Sequence, residues 1–184
     1  RMQMAVGGGR AILRTRSGLD WSARFPEIVT DAAKWPDGVV DGELCALDPD
    51  GKPDFSGLVA AYGEGRTENL VYFAFDLLFD GPDDLRDLPL SHRKARLRGY
   101  VDRIAKAAGR RIRFVDHFAT TGQAVLESAC RMDLEGVISK RLDAPYRPGR
   151  SETWLKSKCR GRDEVIIGGW SSEGGTRFRS LLVG

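Results

Sequence analysis

Residues 70 to 79 read Leu-Val-Tyr-Phe-Ala-Phe-Asp-Leu-Leu-Phe and are closed by Asp80-Gly81-Pro82. A short, aromatic-rich apolar run bounded by turn residues is expected to form a buried strand. It is too short to cross a membrane as a helix. No other stretch approaches the 18 or so apolar residues such a span needs, and no secretory apolar region opens the chain. A buried strand needs a core around it, and 184 residues suffice for one good core with the start of a second domain.

The remaining elements follow from local pattern. Met2 to Val6 and Ala11 to Leu13 alternate around Gly7-Gly8-Gly9, which predicts a β-hairpin. Val39 to Leu47 predicts a strand pair or a bulged strand, ended by the turn Asp48-Pro49-Asp50-Gly51. Pro89 to Ala108 predicts an exposed basic helix with Ser91 as its N-cap and Leu97, Val101 and Ile104 at helical spacing. A second helix is expected from Thr121 to Met132, then strands at Gly136 to Lys140 and Thr153 to Cys159. The basic stretch Arg160-Gly161-Arg162 marks a domain boundary, and Val165 to Trp170 opens a second β-domain. Strands and helices in mixed order, with hairpins, make the class α+β with mostly antiparallel sheets flanked by helices.

Charge is informative through its make-up. The net charge is only +3, yet twenty-two of the 29 basic residues are arginine, whose planar fork of donors suits phosphate oxygens. A genome that encodes arginine often would give the same bias. Cys45, Cys130 and Cys159 lie far apart without Cys-x-x-Cys spacing, which argues against a disulfide framework or a structural zinc site. The expected protein is soluble and cytoplasmic.

Four local patterns could carry chemistry. In Trp154-Leu155-Lys156-Ser157-Lys158, strand alternation puts Lys156 and Lys158 on one face, roughly 7 Å apart. Two ammonium groups so placed call for an anion between them, and phosphate suits. Asp41-Gly42-Glu43 and Glu135-Gly136-Val137-Ile138 each set a carboxylate beside a mostly buried strand. Such groups need a partner or a metal, and hard oxygen donors suit Mg²⁺ completed by water and substrate phosphates. Phe75 lies in the aromatic run, where Phe73, Phe79 or both are expected to serve the core. Arg14-Thr15-Arg16-Ser17-Gly18 is a basic turn after a strand. Each pattern alone also fits an ordinary surface or core role. His92 and His117 lack ligand-spaced partners and are read as non-catalytic.

Taken in order, the arginine turn, Asp-Gly-Glu, Phe-Asp-Leu-Leu, Glu-Gly-Val-Ile-Ser-Lys and Trp-Leu-Lys-Ser-Lys resemble the motif set of the covalent nucleotidyltransferases. That superfamily comprises ATP-dependent DNA ligases, RNA ligases and mRNA capping enzymes. Thr15-Arg16-Ser17-Gly18 with Ala23-Arg24-Phe25-Pro26-Glu27, Asp54-Phe55, Asp87-Leu88-Pro89-Leu90 with Arg93-Lys94, and Tyr146-Arg147-Pro148-Gly149-Arg150 resemble the ligase domain of the bacterial end-joining ligase D. The resemblance implies a nucleotidyltransferase (adenylation) domain over residues 1–160 and the first strands of a truncated OB-fold over 161–184.

It also implies an ATP-dependent DNA ligase that works through lysyl-AMP and then DNA-adenylate, with ATP and Mg²⁺ (or Mn²⁺) as cofactors. Arg16 would contact nucleotide or DNA phosphate. Glu43 would hold the adenosine ribose and help bind metal, with Glu135 as the other metal ligand. Phe75 would stack on adenine, and Lys156 and Lys158 would grip the α-phosphate. Glu43 and Glu135 are expected to face one cavity with the lysine pair on its opposite wall and Phe75 lining it. Arg1 matches the last residue of Lys-x-Asp-Gly-x-Arg, which places the nucleophilic lysine just upstream of Arg1. Lys34 lacks the Asp-Gly turn, and Lys140 stands five residues from Glu135, on the other strand face. The implied partner is nicked or broken duplex DNA, with an end-binding protein and no membrane, for a monomer at the bacterial nucleoid. An RNA ligase or capping-type enzyme remains an alternative, as does a catalytically silent nucleic-acid-binding fragment.

Overall fold

The computed structural model describes residues 1–104, 111–149, 151–159, 166–173 and 177–183. The expected boundary at Arg160-Gly161-Arg162 lies outside them. The first hairpin forms as its alternation demands, with β1 (Met2–Gly7) antiparallel to β2 (Arg10–Thr15) across a Gly8-Gly9 turn in which both residues have positive φ. Pro26 opens α1 (Pro26–Ala32), which is followed by β3 (Gly38–Leu47), β4 (Pro53–Asp54), α2 (Phe55–Glu64), β5 (Val71–Asp80) and β6 (Asp83–Asp84). Then come α3 (Leu90–Ile104), β7 (Ile112–Phe114), α4 (Gly122–Arg131), β8 (Gly136–Lys140), β9 (Trp154–Lys158), β10 (Ile167–Glu173) and β11 (Arg177–Val183).

The main sheet runs β2-β1-β3-β5-β6, with β4 beside β3 and β7 beside β5; among the described residues β5–β7 is its one parallel pair. β8–β9 and β10–β11 are separate antiparallel ribbons. The class is α+β and mostly antiparallel. Met2, Met4, Leu13, Val40, Tyr72 and Leu77 on one sheet face pack with Ile28 of α1 and with Leu97 and Tyr100 of α3. Gly42 leaves room for the Tyr72 ring, which a Cβ there would meet at 2.4 Å. Among the described residues, no helix is long and apolar enough to cross a membrane.

Several expectations change. Ser91 does not cap α3. The helix starts one residue earlier, and the N–H groups of Leu90 and Ser91 donate to the carbonyls of Ala144 and Leu142. Nor is α3 simply an exposed basic helix, because Arg93 and Lys94 are buried. Phe73 and Phe79 are half-buried and lie outside the core cluster. The β3–β5 register skips Phe75 and Leu78, and these bulges, together with strand alternation, give the core Tyr72, Ala74 and Leu77 instead. Cys130 and Cys159 form a disulfide. Their 29-residue separation hides the proximity, which arises because α4 leads into β8 and β8 pairs with β9, so that the Cys159 N–H bonds the Glu135 carbonyl. Cys45 is a free, half-buried thiol that burial pushes up to about 11.

Candidate active site

The sheet face turned away from the core carries the charges. Asp41 stands opposite Asp76 in the β3–β5 register, and Gln3 of β1 separates Asp41 from Arg14 of β2. Two carboxylates at paired cross-strand positions repel unless each has its own cation. Arg1 supplies the first, through Nε to Asp41 Oδ1 at 3.1 Å and a second bond from Nη2, and the Tyr146 hydroxyl adds a 3.3 Å hydrogen bond. Arg93 supplies the second, with both bonds to Asp76 at 2.8 Å. It also donates to the carbonyls of Leu88 and Ala144, at 2.5 and 3.2 Å. This one buried side chain therefore ties β5, the start of α3 and the loop that carries Tyr146.

Phe75, the bulge residue, lies on that face with Asp76. The Lys140 ammonium sits 3.8 Å from the ring centroids of both Phe75 and Trp154, and the Arg1 guanidinium is 5.7 Å from Phe75. Burial holds Lys140 down to about 8, against the pull of Asp76 and Asp41.

The late motifs meet at the far end of the ribbon. Glu135 accepts from Lys156 Nζ at 2.8 Å and lies 3.3 Å from Lys158 Nζ; these bonds hold its carboxyl below the usual range. Glu135 is thus beside the lysines, where the sequence reading set it on the opposite wall. Its neighbour Gly136 has φ +148°, and a Cβ there would come within 2.1 Å of the Ser157 carbonyl oxygen. Only glycine lets the strands approach this closely. Glu43 is half exposed.

A cleft of about 1240 Å³ separates these groups. Arg1, Arg16 and Glu43 line it from the main sheet and its turn, and Glu135, Ile138 and Lys156 line it from the ribbon. Its apolar part includes Leu19, Trp21, Leu44, Phe55, Val59 and Tyr62, with Trp21 and Tyr62 stacked at 5.5 Å beneath Arg24. Lys158 does not line it. Neither does Phe75, because the bulge aims its ring at Trp154 and Lys140. Sequence reasoning passed over Asp41, Arg93, Lys140 and Tyr146 as site groups. Each lay inside a quoted motif, but their partners come from other elements.

Among the described residues no three carboxylate, histidine or cysteine side chains converge. Glu43 and Glu135 instead offer single hard oxygen donors on the two walls. That donor set fits Mg²⁺, which takes one or two carboxylates and fills its shell with water and phosphate oxygens.

Known proteins resemble the chain throughout. The family described as "ATP dependent DNA ligase domain" matches residues 1–158. The multifunctional non-homologous end joining protein LigD of Pseudomonas aeruginosa is 39% identical over 192 residues, covering 100% of this chain and 22% of that protein. The LigD of Mycobacterium tuberculosis H37Rv, a multifunctional non-homologous end joining DNA repair protein, is 35% identical over 191 residues, covering 100% and 24%. The chain therefore spans about a quarter or less of these relatives. Among solved structures, mycobacterial DNA ligase D complexed with ATP and MES superposes with a TM-score of 0.73 at 33% identity, covering 100% of this chain and 58% of that one. The ligase domain of M. tuberculosis LigD gives 0.71 at 33% identity, with the same coverage.

Proposed function

This chain belongs to the ATP-dependent DNA ligase family, and from that membership we propose that it is the nucleotide-handling part of an enzyme that seals nicks or ends in DNA during end joining. Residues 1–160 form the adenylation domain in this reading, and residues 161–184 begin an OB-fold. A lysine preceding Arg1 in the polypeptide attacks the α-phosphorus of ATP and expels pyrophosphate. The AMP passes to the 5′-phosphate of a break, and the 3′-hydroxyl then displaces it.

Such transfers need positioned charge more than acid–base chemistry. Lys156 meets the α-phosphate on one wall, with Lys158 behind it on Glu135, and Arg1 and Arg16 complement phosphate on the other. Glu43 orients the ribose. Mg²⁺ or Mn²⁺ held by Glu43 and Glu135 would neutralise phosphate charge. Lys140 and Arg1 occupy the face of Phe75, so the base is placed against Leu44 and Ile138 in the apolar part of the cleft, and the stacking role read for Phe75 is not retained. The partner is nicked or broken duplex DNA, with an end-binding protein as a further one, for a cytoplasmic monomer at the nucleoid.

The observation that carries the reading is the convergence of Lys156 and Lys158 on Glu135, across the cleft from Glu43 and Arg16. The test uses a polypeptide that includes the residues before Arg1, incubated with ATP and Mg²⁺ and analysed by mass spectrometry. An AMP adduct on a lysine preceding Arg1, lost in Lys156→Ala, is expected. An adduct on Lys34 or Lys140 would overturn the assignment of the site.

A further inference from the structure

Nine described arginines lie within ion-pair distance of a carboxylate. Arg10 and Arg14 on β2, and Arg16 just beyond it, are exposed and do not. Strand alternation turns Ala11 and Leu13 into the core and leaves Arg10, Ile12 and Arg14 outward. The register fixes which outward face this is: Arg14 shares a cross-strand row with Gln3 and Asp41. It therefore belongs to the charged face of the site, where Arg16 already lines the cleft.

Among the described residues β2 is an edge strand of the main sheet, flanked only by the isolated bridge between Arg14 and Asp20. The carboxylate that feels Arg14 is Asp20, and it is already bonded by the N–H and hydroxyl of Ser22. Arg10 and Arg14 stand two outward steps apart, about 13 Å, with Ile12 between them, a span of about two phosphate steps of a nucleic acid strand. Alternate phosphates along one strand would fill the forked donors of both arginines.

We propose that Arg10 and Arg14 form a phosphate track that continues the site outward from Arg16 along β2 and grips the backbone of one DNA strand beside the break. The inference rests on the DNA-sealing reading above and adds to it a path for the substrate. Contacts of this kind position the duplex without reading its sequence.

The test measures binding of this chain to a nicked duplex by fluorescence anisotropy across a salt series. The double variant Arg10→Gln/Arg14→Gln is compared with Arg66→Gln/Arg141→Gln, which removes the same charge from other elements. Binding by the track variant is expected to weaken equally for unrelated sequences. The slope of log affinity against log salt should fall by about 1 for each arginine removed, about 2 in all, with ATP binding unchanged. An unchanged slope, or an equal loss in the control variant, overturns the track. If the unsubstituted chain fails to bind the nicked duplex at low salt, the DNA reading itself falls, and the track with it.

Discussion

Arg93 is fully buried, and so is the carboxylate it pairs with, Asp76. Taking two charges out of water is costly, and their attraction offsets the cost only while both are present and fully bonded. Replacing Arg93 with Met should therefore destabilise the fold by about 3–5 kcal/mol, read as a lower urea midpoint. Adding Asp76→Asn in the same chain should recover much of that loss. A single variant as stable as the parent would mean that the pair is hydrated. Lys140 poses a related question of sign. Its ammonium titrates near 8 in the fold, against 10.5 ordinarily. Between those values the unfolded chain holds a proton that the folded chain has released, so stability should rise with pH through this window. Below it both states are charged, and the full cost of burying the ammonium is felt. Lys140→Met should lack the rise, and parallel stability curves for the two proteins between about pH 7 and 10 would reject the buried ammonium.

At the scale of elements, strands were easier to read than helices. β1, β2, β3 and β5 announce themselves through alternation and turn residues. α2 carries Phe55, Leu58, Val59 and Tyr62 at i, i+3, i+4 and i+7, a stripe that Gly57 and Gly63 interrupt and that the sequence reading passed over. α1 is only seven residues long. The charges of α3 suggested a solvated helix because their internal partners are distant in sequence: Arg93 meets Asp76, and Lys94 donates to the Val115 carbonyl beside the Phe114 ring. The Cys130–Cys159 bridge was hidden for the same reason. Cross-linking residues 29 apart restricts the unfolded chain, which is worth roughly 3–4 kcal/mol. Adding a thiol reductant should lower the urea midpoint accordingly, and Cys130→Ser should do so without reductant. A midpoint that ignores both would show that the bond does not form. A cytoplasm keeps such pairs reduced, so the proposed location implies thiols here in the cell.

For the molecule as a whole, the motifs were legible because each is a short string whose meaning is local. Their assembly was not. The meeting of Asp41 with Asp76 depends on a β3–β5 register with two shifts, which no local pattern reveals. The same holds for the ribbon β8–β9. At its Lys140 and Trp154 end it is fastened to the main body. Trp154 abuts Phe75, and the connecting loop gives backbone bonds from Leu90, Ser91 and Tyr146. At its other end stand Glu135 and Lys158, with Lys156 reaching Glu135 from the middle of β9, and among the described residues no strand pairing joins the ribbon to the main sheet. The ribbon is thus a cantilever, stiffened along its length by α4. An arm of five residues is about 17 Å long, so a tilt of about 4° at the root carries its tip through about 1 Å. Misplacement on that scale can cost in-line transfer about a hundredfold. The angle at which Trp154 seats on Phe75, a contact remote from the phosphorus, therefore sets the aim of the lysines.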